Sequence, residues 1–315
     1  MAAKKKTSPK ANPANAFQAP RTKAQNSKLR VDQWLVERGL AETREKAKAL
    51  IMAGQVLAGT RRVDKPGENM DEATATTLTL KAGATLKYVS RGGLKLEKAL
   101  DFFGVNPAGL LVLDIGASTG GFTDCVLQRG ARAVIDVDVG HNQLAWSLRN
   151  DPRVIVLDKT NIRYLEELPV VAGEGETPAL AELVVIDVSF ISLKLVLPAA
   201  RRLSKPHVHI LALVKPQFEA GREQVGKGGI IRDPAVHRGV LLDLVKWCEQ
   251  NSFEIQGLTT SPILGTEGNR EFLAHLVAHP ENEAYTPAIN QAELLALVDQ
   301  LVEAEVEDTG KQETE

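Results

Sequence analysis

Five short apolar segments, separated by stretches with a helical pattern, constrain the fold of this chain more than any other feature. The segments are rich in β-branched residues and span 111–115, 133–137, 154–157, 183–186 and 209–214. Helical spacing of apolar residues occurs between them, for example at 122–129 and 141–149. Continuous apolar strands that alternate with helices are typical of a parallel sheet covered on both faces. We therefore predict an α/β domain with a mostly parallel sheet and helices on both faces.

Length and composition allow more than this one domain. The chain has 315 residues, of which 43% are apolar, enough to bury a core and to form about two domains. We divide it into a disordered basic tail at 1–27, a small α+β domain at 28–87, the α/β domain at 88–280 and an acidic C-terminal helix and tail at 281–315. Neither a run of ~18 apolar residues nor the apolar part of a secretion signal occurs, so we expect a cytoplasmic protein without a membrane span.

Charge is distributed unevenly along the chain, although the formal net charge is only −2. Residues 1–98 contain 20 Lys and Arg against 9 Asp and Glu, whereas residues 281–315 contain 1 Lys against 10 acids. A basic N-terminal third indicates a polyanionic partner, and nucleic acid is the usual one. For the tail at 1–27, a role in solubility is an equally good interpretation. The two cysteines, Cys125 and Cys248, cannot form a four-ligand zinc site, and we expect no metal.

The small domain is predicted to begin with two helices. Val31, Trp34 and Leu35 follow the spacing of one helix, and Thr43 is suited to cap a second helix that ends near Gly54. Short strands at 56–57 and 76–80 follow, with a turn at 65–67 between them. Residues 28–56 resemble the RNA-binding domain first seen in ribosomal protein S-four, and the resemblance extends to about Gly67. It implies that the basic second helix contacts structured RNA. From this domain, the predicted RNA-binding residues are Arg30, Arg44, Lys46 and Lys48.

A glycine-rich turn, D-I-G-A-S-T-G-G at 114–121, follows the first strand of the α/β domain. Glycines let the backbone approach a ligand, and the N–H groups of the next helix suit a carboxylate or phosphate. The spacing differs from that of dinucleotide-binding and phosphate-binding loops. Taken alone, the turn is therefore also compatible with a structural role and no ligand. Asp138 ends the next strand, where a carboxylate can accept hydrogen bonds from a ribose diol.

The turn resembles the S-adenosylmethionine (SAM) loop of class I methyltransferases. The resemblance implies a Rossmann-like class I fold with SAM as cofactor, and it places Asp158 near the adenine and Asp187 beside the methyl donor. These positions follow strand ends, where ligands bind in open α/β sheets. The implied cofactor-binding residues are Asp114, Gly116, Ala117, Ser118, Thr119, Gly120, Gly121, Asp138 and Asp158.

Three further segments contain candidate catalytic residues. Lys95 lies early in a predicted helix, Lys215 ends a buried strand and Glu271 begins the last strand. Together with Asp187, they resemble the Lys–Asp–Lys–Glu tetrad of the FtsJ-like ribose 2′-O-methyltransferases. Residues 28–275 as a whole resemble the TlyA family, which joins the S-four-type domain to that methyltransferase. The resemblance implies SAM-dependent methylation of a cytidine 2′-hydroxyl, with ribosomal RNA or ribosomal subunits as partner.

Such a tetrad suits the reaction chemically. A ribose 2′-hydroxyl is a weak nucleophile, so it must be aimed at the methyl carbon and partly deprotonated. A desolvated lysine beside another cation can serve as the base. Lys215 is the candidate base, with Asp187 and Glu271 orienting it. Lys95 would promote its deprotonation or stabilise the developing oxyanion. Any one of these residues alone is better explained by an ordinary surface or capping role, and their joint occurrence beside the glycine-rich turn is what favours catalysis.

A flexible basic loop at 218–234 follows Lys215. We interpret it as a mobile lid whose Arg222 and Lys227 bind RNA phosphates, as does Arg91 in the segment that precedes Lys95.

Other functions fit the sequence less well. A 5-methylcytidine enzyme needs a nucleophilic cysteine, and both cysteines are predicted to be buried apolar residues. An exocyclic-amine methyltransferase would have an Asn/Asp-Pro-Pro-Tyr turn where this chain has D-V-S-F at 187–190. A non-catalytic RNA-binding or ribosome-assembly factor with the same fold is the main alternative. Members of the family also have a hemolysin label, but the sequence contains no lytic segment that would support such an activity.

Overall fold

The computed structural model describes residues 28–41, 43–81, 87–171, 177–226, 228–265, 268–281 and 283–312. The tail predicted at 1–27 and the predicted phosphate-binding residue Lys227 lie outside the described residues.

The N-terminal region packs two helices and a short third one against small antiparallel sheets. Its elements are β1 (Leu29–Arg30), α1 (Val31–Glu37), α2 (Arg44–Met52), β2 (Val56–Ala58), β3 (Arg61–Arg62), β4 (Asn69–Met70), α3 (Glu72–Ala75) and β5 (Leu78–Leu80). The strand orders are β1-β4 and β3-β2-β5. Thr43 caps α2 as predicted, because its hydroxyl accepts a hydrogen bond from the Lys46 N–H. The predicted strand at 76–80 begins only at Leu78, since the Thr76 and Thr77 hydroxyls donate to carbonyls of α3 and its last turn.

The remainder of the chain forms one seven-stranded sheet with flanking helices. Its elements are α4 (Gly92–Phe103), β6 (Leu111–Ile115), α5 (Gly121–Gln128), β7 (Ala133–Val137), α6 (Trp146–Arg149), β8 (Val154–Leu157), β9 (Ala181–Ile186), α7 (Leu197–Arg202), β10 (Ser204–Val214), α8 (Pro216–Glu219), α9 (Pro234–Gln250), β11 (Phe253–Thr260), β12 (Phe272–Ala278) and α10 (Gln291–Gln312). The strand order is β11-β12-β10-β9-β6-β7-β8. Strands β6 to β10 pair in parallel, and β12 runs antiparallel to both of its neighbours.

Both faces of this sheet are buried, as predicted. On one face, α4, α5 and α6 pack through residues such as Leu100, Val126 and Leu148. On the other face, α7, α9 and α10 contribute residues such as Leu197 and Leu244. The C-terminal helix α10 is thus a packing element, because its apolar stripe is buried against this second core. In the part of the chain that the structure describes, no helix is both long and apolar enough to cross a membrane.

The helix predicted at 141–149 is shorter in the structure. Only Trp146–Arg149 is helical, and Asn142 has a left-handed backbone with φ of 55°. The preceding residues form a turn around Asp138 instead, because its carboxylate accepts a hydrogen bond from the Gly140 N–H at 2.6 Å. Asp138 directly follows β7 and therefore lies at the carboxyl edge of the sheet, where this turn holds its side chain.

Candidate active site

The four predicted catalytic residues converge at the carboxyl edge of the sheet. Asp187 follows β9, and Lys215 follows β10. Glu271 precedes β12, which runs antiparallel to β10. The first residues of β12 therefore lie beside the last residues of β10, and Val214 is paired with Phe272. Lys95 comes from α4, which packs against β10 and β12. Four segments that are distant in sequence therefore meet at one place.

Two ion pairs connect the four residues. Lys215 Nζ lies 2.6 Å from Asp187 Oδ1 and donates a hydrogen bond to the Ser189 hydroxyl at 2.9 Å. Lys95 Nζ donates a hydrogen bond to Glu271 Oε2. Only a tenth of each lysine side chain is exposed, so both pairs are largely shielded from water. The expectation that Glu271 orients Lys215 directly needs correction, because its carboxylate binds Lys95 instead.

Sequence reasoning missed two side chains that complete this edge. One is Ser189, which contacts Lys215 as described above. The other is Phe190, which has a left-handed backbone with φ of 65° and a side chain that is 90% exposed. Its ring centroid lies 4.9 Å from that of Phe218, and Lys215 Nζ lies 6.0 Å from the Phe218 centroid. The D-V-S-F segment itself was the available signal, since it follows the strand that ends at Asp187.

The glycine-rich turn borders this edge directly. Gly116 has φ of 88°, and a Cβ atom at this position would lie 2.6 Å from the Asp187 carbonyl oxygen. Glycine is therefore required both by the backbone conformation and by the close approach of the two strand ends. Gly121, the first residue of α5, approaches the start of α4 so closely that a Cβ would lie 2.3 Å from Ser90 Oγ. The turn is thus fixed between the loop at Asp187 and the helix that carries Lys95.

Asp138 and Asp158 both lie beside the turn. The Asp138 carboxylate accepts hydrogen bonds from the backbone N–H groups of Ser118 at 2.8 Å and Gly140 at 2.6 Å. Asp158 accepts from the Arg149 guanidinium at 2.7 Å and the Asn142 N–H at 3.1 Å. Partial burial raises the pKa of Asp158, but these hydrogen bonds outweigh it, and the pKa lies below its usual value. Both groups are therefore placed as carboxylate acceptors.

Asp114 has a different environment from the other residues of the turn. Its side chain is completely buried, so it is not in a position to contact a cofactor directly, contrary to the prediction. Thr123 Oγ1 lies 2.7 Å from Asp114 Oδ2 and 2.9 Å from Oδ1 of Asp136, its neighbour in the β6–β7 ladder. One hydroxyl can donate only one hydrogen, so we infer that the second carboxyl donates its own proton to the Thr123 oxygen. Burial, assisted by nearby carboxylates, raises the pKa of Asp114 to about 7 and that of Asp136 well above its usual value.

The groups around the turn fit SAM. The N-terminal N–H groups of α5 suit the carboxylate of its methionine part, and the Asp138 carboxylate suits the ribose diol. Of the other predicted cofactor-binding residues in the turn, Ser118 and Thr119 are exposed and Gly116 is half-buried, whereas Ala117, Gly120 and Gly121 are buried. A methyl donor held there would lie next to Asp187, since the Asp187 carbonyl adjoins Gly116.

In the N-terminal region, the predicted RNA-binding residues form two groups. Arg30 and Arg44 bind the carboxylate of Asp32 at 3.0 and 3.1 Å, and the Asp32 side chain is completely buried. Burial raises the pKa of Asp32, but the two arginines hold it below its usual value. These arginines therefore stabilise the domain as well as contributing positive charge. Lys46 and Lys48 are exposed on α2.

Arg91 and Arg222 lie nearer to the catalytic edge. Arg91 is half-buried at the start of α4, and burial together with nearby Arg62 lowers its pKa. Arg222 is exposed in a 3₁₀ turn of the predicted lid. The second half of that loop is anchored, because the buried Asn269 carboxamide accepts from the Ile231 N–H and donates to the Gly229 carbonyl. The start of the loop is anchored as well, because the Glu219 carboxylate accepts hydrogen bonds from the Ser192 hydroxyl and the Leu193 N–H.

The two cysteines are buried, free thiols. Burial raises the pKa of Cys125 to about 11 and that of Cys248 to about 12, so neither is suited to act as a nucleophile. The 5-methylcytidine mechanism is therefore disfavoured by the structure as well as by the sequence.

Comparisons with known proteins agree with this geometry. Residues 88–277 match the FtsJ-like methyltransferases, and residues 29–72 match the S4 domain. The chain is 54% identical over 251 residues to YqxC of Bacillus subtilis, a candidate rRNA methyltransferase, with 80% of this chain and 86% of YqxC covered. It is 44% identical over 249 residues to the 16S/23S rRNA (cytidine-2'-O)-methyltransferase TlyA of Mycobacterium tuberculosis, with 79% and 90% covered.

A solved structure shows the same architecture. The structure of a candidate hemolysin from Streptococcus thermophilus is 44% identical to this chain, covers 92% of it over its own full length and superposes with a TM-score of 0.68. The matched families account for both the α/β sheet and the small N-terminal region. This chain therefore belongs to the FtsJ-like methyltransferase family, in the TlyA group that carries an S4 domain ahead of the methyltransferase domain.

Proposed function

We propose that this protein methylates the 2′-hydroxyl of a cytidine in ribosomal RNA, with SAM as methyl donor. The observation that carries the proposal is the pair of shielded Lys–carboxylate contacts, Lys215–Asp187 and Lys95–Glu271, beside the glycine-rich turn. The name of the Mycobacterium tuberculosis relative supports the choice of nucleotide and of RNA.

Bound SAM supplies an electrophilic methyl group on a positively charged sulfur. In the proposed reaction, the ribose oxygen forms a bond to the methyl carbon as the carbon–sulfur bond breaks, and the hydroxyl proton leaves. In this proposal Lys215 accepts that proton, for which its amine must first have lost a proton of its own. Asp187 and Ser189 hold the Lys215 nitrogen in place at 2.6 and 2.9 Å.

Lys95 and Glu271 form the opposite side of the proposed site. The Lys95 ammonium stabilises negative charge that develops on the ribose oxygen. Glu271 positions Lys95. The Glu271 carboxylate packs closely against Gly265, where a Cβ atom would lie only 2.6 Å from Glu271 Oε1. In the proposed mechanism, one lysine moves the proton and the other stabilises the oxyanion.

Phe190 is the proposed platform for the cytosine base. A ring that is 90% exposed at the mouth of the site offers a free face, and the ring of Phe218 supports it from the side. Bases that are turned out of an RNA helix stack on such aromatic faces. Stacking there would bring the attached ribose toward Lys215.

The N-terminal region is the proposed holder of the surrounding RNA. Exposed Lys46 and Lys48 on α2 would contact phosphates, with Arg30 and Arg44 behind them. Arg91 and Arg222 would continue the contact toward the catalytic edge, and Lys227 remains a prediction from sequence. A salt-sensitive affinity for RNA follows from such contacts.

The test is methyl transfer in vitro to ribosomal subunits from cells that lack the protein. The full-length chain and SAM with a labelled methyl group should yield labelled 2′-O-methylcytidine after complete digestion of the RNA. Lys215→Ala should lose the signal, whereas Lys205→Ala, at the other end of β10, should keep it. Label in 5-methylcytidine or in the cytosine amine would contradict the proposal. Intact RNA and SAM binding without transfer would instead support an assembly factor.

A further inference from the structure

Four of the six histidines of the chain lie on β10 and β12 or directly after β12, and the pair His207 and His279 lies toward the end of the sheet opposite the proposed active site. His207 and His209 belong to β10, and His275 and His279 belong to β12 and the residue after it. Because Val208 pairs with Ala278 in the antiparallel ladder, His207 lies directly across from His279. Lys215, at the other end of β10, is roughly 25 Å away for a strand that rises ~3.3 Å per residue.

One carboxylate joins this histidine pair. The Nδ1 atoms of His207 and His279 are 3.1 Å apart, and Glu283 Oε1 lies 3.6 Å from His207 Nε2. One ligand atom from each of the three residues lies within 4.8 Å of the others. We name these three residues the distal cluster. The second pair, His209 and His275 at 2.8 Å, is not part of such a three-residue group among the described residues.

His279 has a hydrogen bond at each ring nitrogen, and a bound metal ion would replace the one to His207 Nδ1. Its Nε2 lies 2.9 Å from Oε2 of the buried Glu254, whose Oε1 accepts from the Ala288 N–H at 2.7 Å. The carboxylate requires a proton on Nε2, so the neutral ring has a lone pair on Nδ1 that faces His207. The ring also stacks on Tyr285, with centroids 4.1 Å apart and 9° between planes. A carboxylate behind a histidine is the arrangement that orients metal-binding imidazoles.

The backbone of His207 has a strained conformation beside the distal cluster. It has φ of 58°, in the left-handed region, within the stretch where the pairing of β10 with β9 changes register. A non-glycine residue in this region costs free energy, and such residues concentrate at functional sites. Here the strained backbone brings the His207 ring against that of His279.

The chemistry of the distal cluster selects the ligand. Two imidazole nitrogens and a carboxylate are typical donors for Zn²⁺, whose Zn–N bonds of ~2.0–2.1 Å imply nitrogens about 3.3 Å apart in a tetrahedral site. The observed 3.1 Å is close to that separation. About half of the His207 side chain and 42% of that of Glu283 are exposed, so water can reach a fourth position. We propose that the distal cluster binds one divalent transition-metal ion, zinc foremost, through His207, His279 and Glu283.

Metal binding would stabilise the fold rather than take part in methyl transfer. The ion would join β10 to the segment after β12, which leads to α10. Because the native state alone would present all three ligands together, zinc should raise the unfolding midpoint of the full chain. The methyl-transfer rate under conditions where the protein is folded should not depend on zinc.

The test is zinc titration of the untagged, chelator-treated full-length chain by calorimetry and thermal unfolding. We expect one zinc per chain and a higher unfolding midpoint. His207→Gly is the sharpest variant, because glycine tolerates a positive φ and should leave the metal-free fold intact. His207→Gly and Glu283→Gln should each weaken zinc binding by at least about tenfold. That is the smallest loss of metal affinity usually found when residues that support metal ligands are removed. Circular dichroism of both variants without metal should match that of the parent chain.

Two matched controls locate the ion. His141→Ala removes an exposed histidine elsewhere, and Glu281→Gln removes an exposed acid two residues from Glu283; both should keep the parent affinity. Absence of stoichiometric zinc binding would overturn the proposal. The proposal would equally fail if His207→Gly and Glu283→Gln bound zinc as tightly as the parent chain.

Discussion

Lys215 Nζ lies 2.6 Å from Asp187 Oδ1, and the two side chains come from neighbouring parallel strands. The Ser189 hydroxyl accepts a hydrogen bond from the same nitrogen, so the lysine is held by two neighbouring groups. A lysine held in this way beside a cofactor loop is suited to act on one defined proton.

Lys215→Ala should reduce the single-turnover rate of methyl transfer by ~10²–10⁴-fold, the usual contribution of a general base, while SAM affinity is retained. Lys215→Arg distinguishes proton transfer from positioning, because arginine keeps the positive charge but does not deprotonate near neutral pH. We expect the arginine variant to be as slow as the alanine variant. A rate near that of the parent chain would show that Lys215 only positions the substrate. Lys205→Ala is the control at the other end of the same strand.

Asp138→Ala should weaken SAM binding by at least about tenfold, because hydrogen bonds to a charged group contribute ~1.5–3 kcal/mol. Isothermal titration with the full-length chain measures this directly. Asp243→Ala, which changes an exposed carboxylate on α9, should bind SAM like the parent chain. Equal SAM affinity in the Asp138 variant would contradict the assignment of this residue to the ribose.

Lys46→Ala combined with Lys48→Ala should weaken RNA binding and leave SAM affinity unchanged. Each lost phosphate contact lowers the slope of log K against log salt by ~0.7–0.9 in magnitude, so the double variant should lose about 1.4–1.8. Filter binding at several salt concentrations gives the slope. Arg44 should be tested separately, since its removal also deprives the buried Asp32 of a partner and should lower the free energy of unfolding. A slope that does not change would show that α2 does not bind phosphates.

Asp136→Asn should stabilise the protein at neutral and alkaline pH. The pKa of Asp114 is raised to about 7 and that of Asp136 is raised as well, so the folded state retains protons that the unfolded state releases above about pH 4. Stability of the parent chain therefore falls as pH increases from about 4 through 7. The uncharged amide of the variant removes much of this loss of stability. The free energy of unfolding of the variant at pH 8 should exceed that of the parent chain by at least about 1.4 kcal/mol, the equivalent of one pKa unit.

Denaturant unfolding at pH 4.5, 6 and 8 measures that difference. Asp243→Asn, on an exposed and paired carboxyl group, should show the pH dependence of the parent chain. If the Asp136 variant followed the same curve, the two buried carboxyl groups would not share a proton through Thr123.

The sequence predicts the centre of the sheet better than its surroundings. The bounds predicted for β6, β7 and β8 coincide with those in the structure, because the buried strands β6 and β7 and the half-buried edge strand β8 are all mostly apolar runs between polar turns. The helix predicted at 141–149 fails where the chain turns to bring Asp138 to the edge. The sequence pattern around residues 141–149 does not indicate this turn, because the Asp138 side chain is also held by the Ser118 N–H of a different loop.

The candidate site shows the same limit. Resemblance identified Lys95, Asp187, Lys215 and Glu271, and the fold brings them together. The partner of each lysine could not be predicted, because the contact between Lys95 and Glu271 joins residues 176 apart in sequence. Thr123 and Asp136 were also missed: both resemble ordinary helix and strand residues until the β6–β7 ladder places Asp136 beside Asp114.

The order in which the chain supplies its catalytic groups has a consequence for synthesis on the ribosome. The glycine-rich turn is complete at Gly121, whereas Glu271 follows about 150 residues later and is positioned only when β12 inserts between β10 and β11. Domains generally fold as units, and the N-terminal one folds first as the chain emerges. A nascent chain can therefore fold its N-terminal region early, whereas the proposed catalytic site is complete only after β12 enters the sheet between β10 and β11.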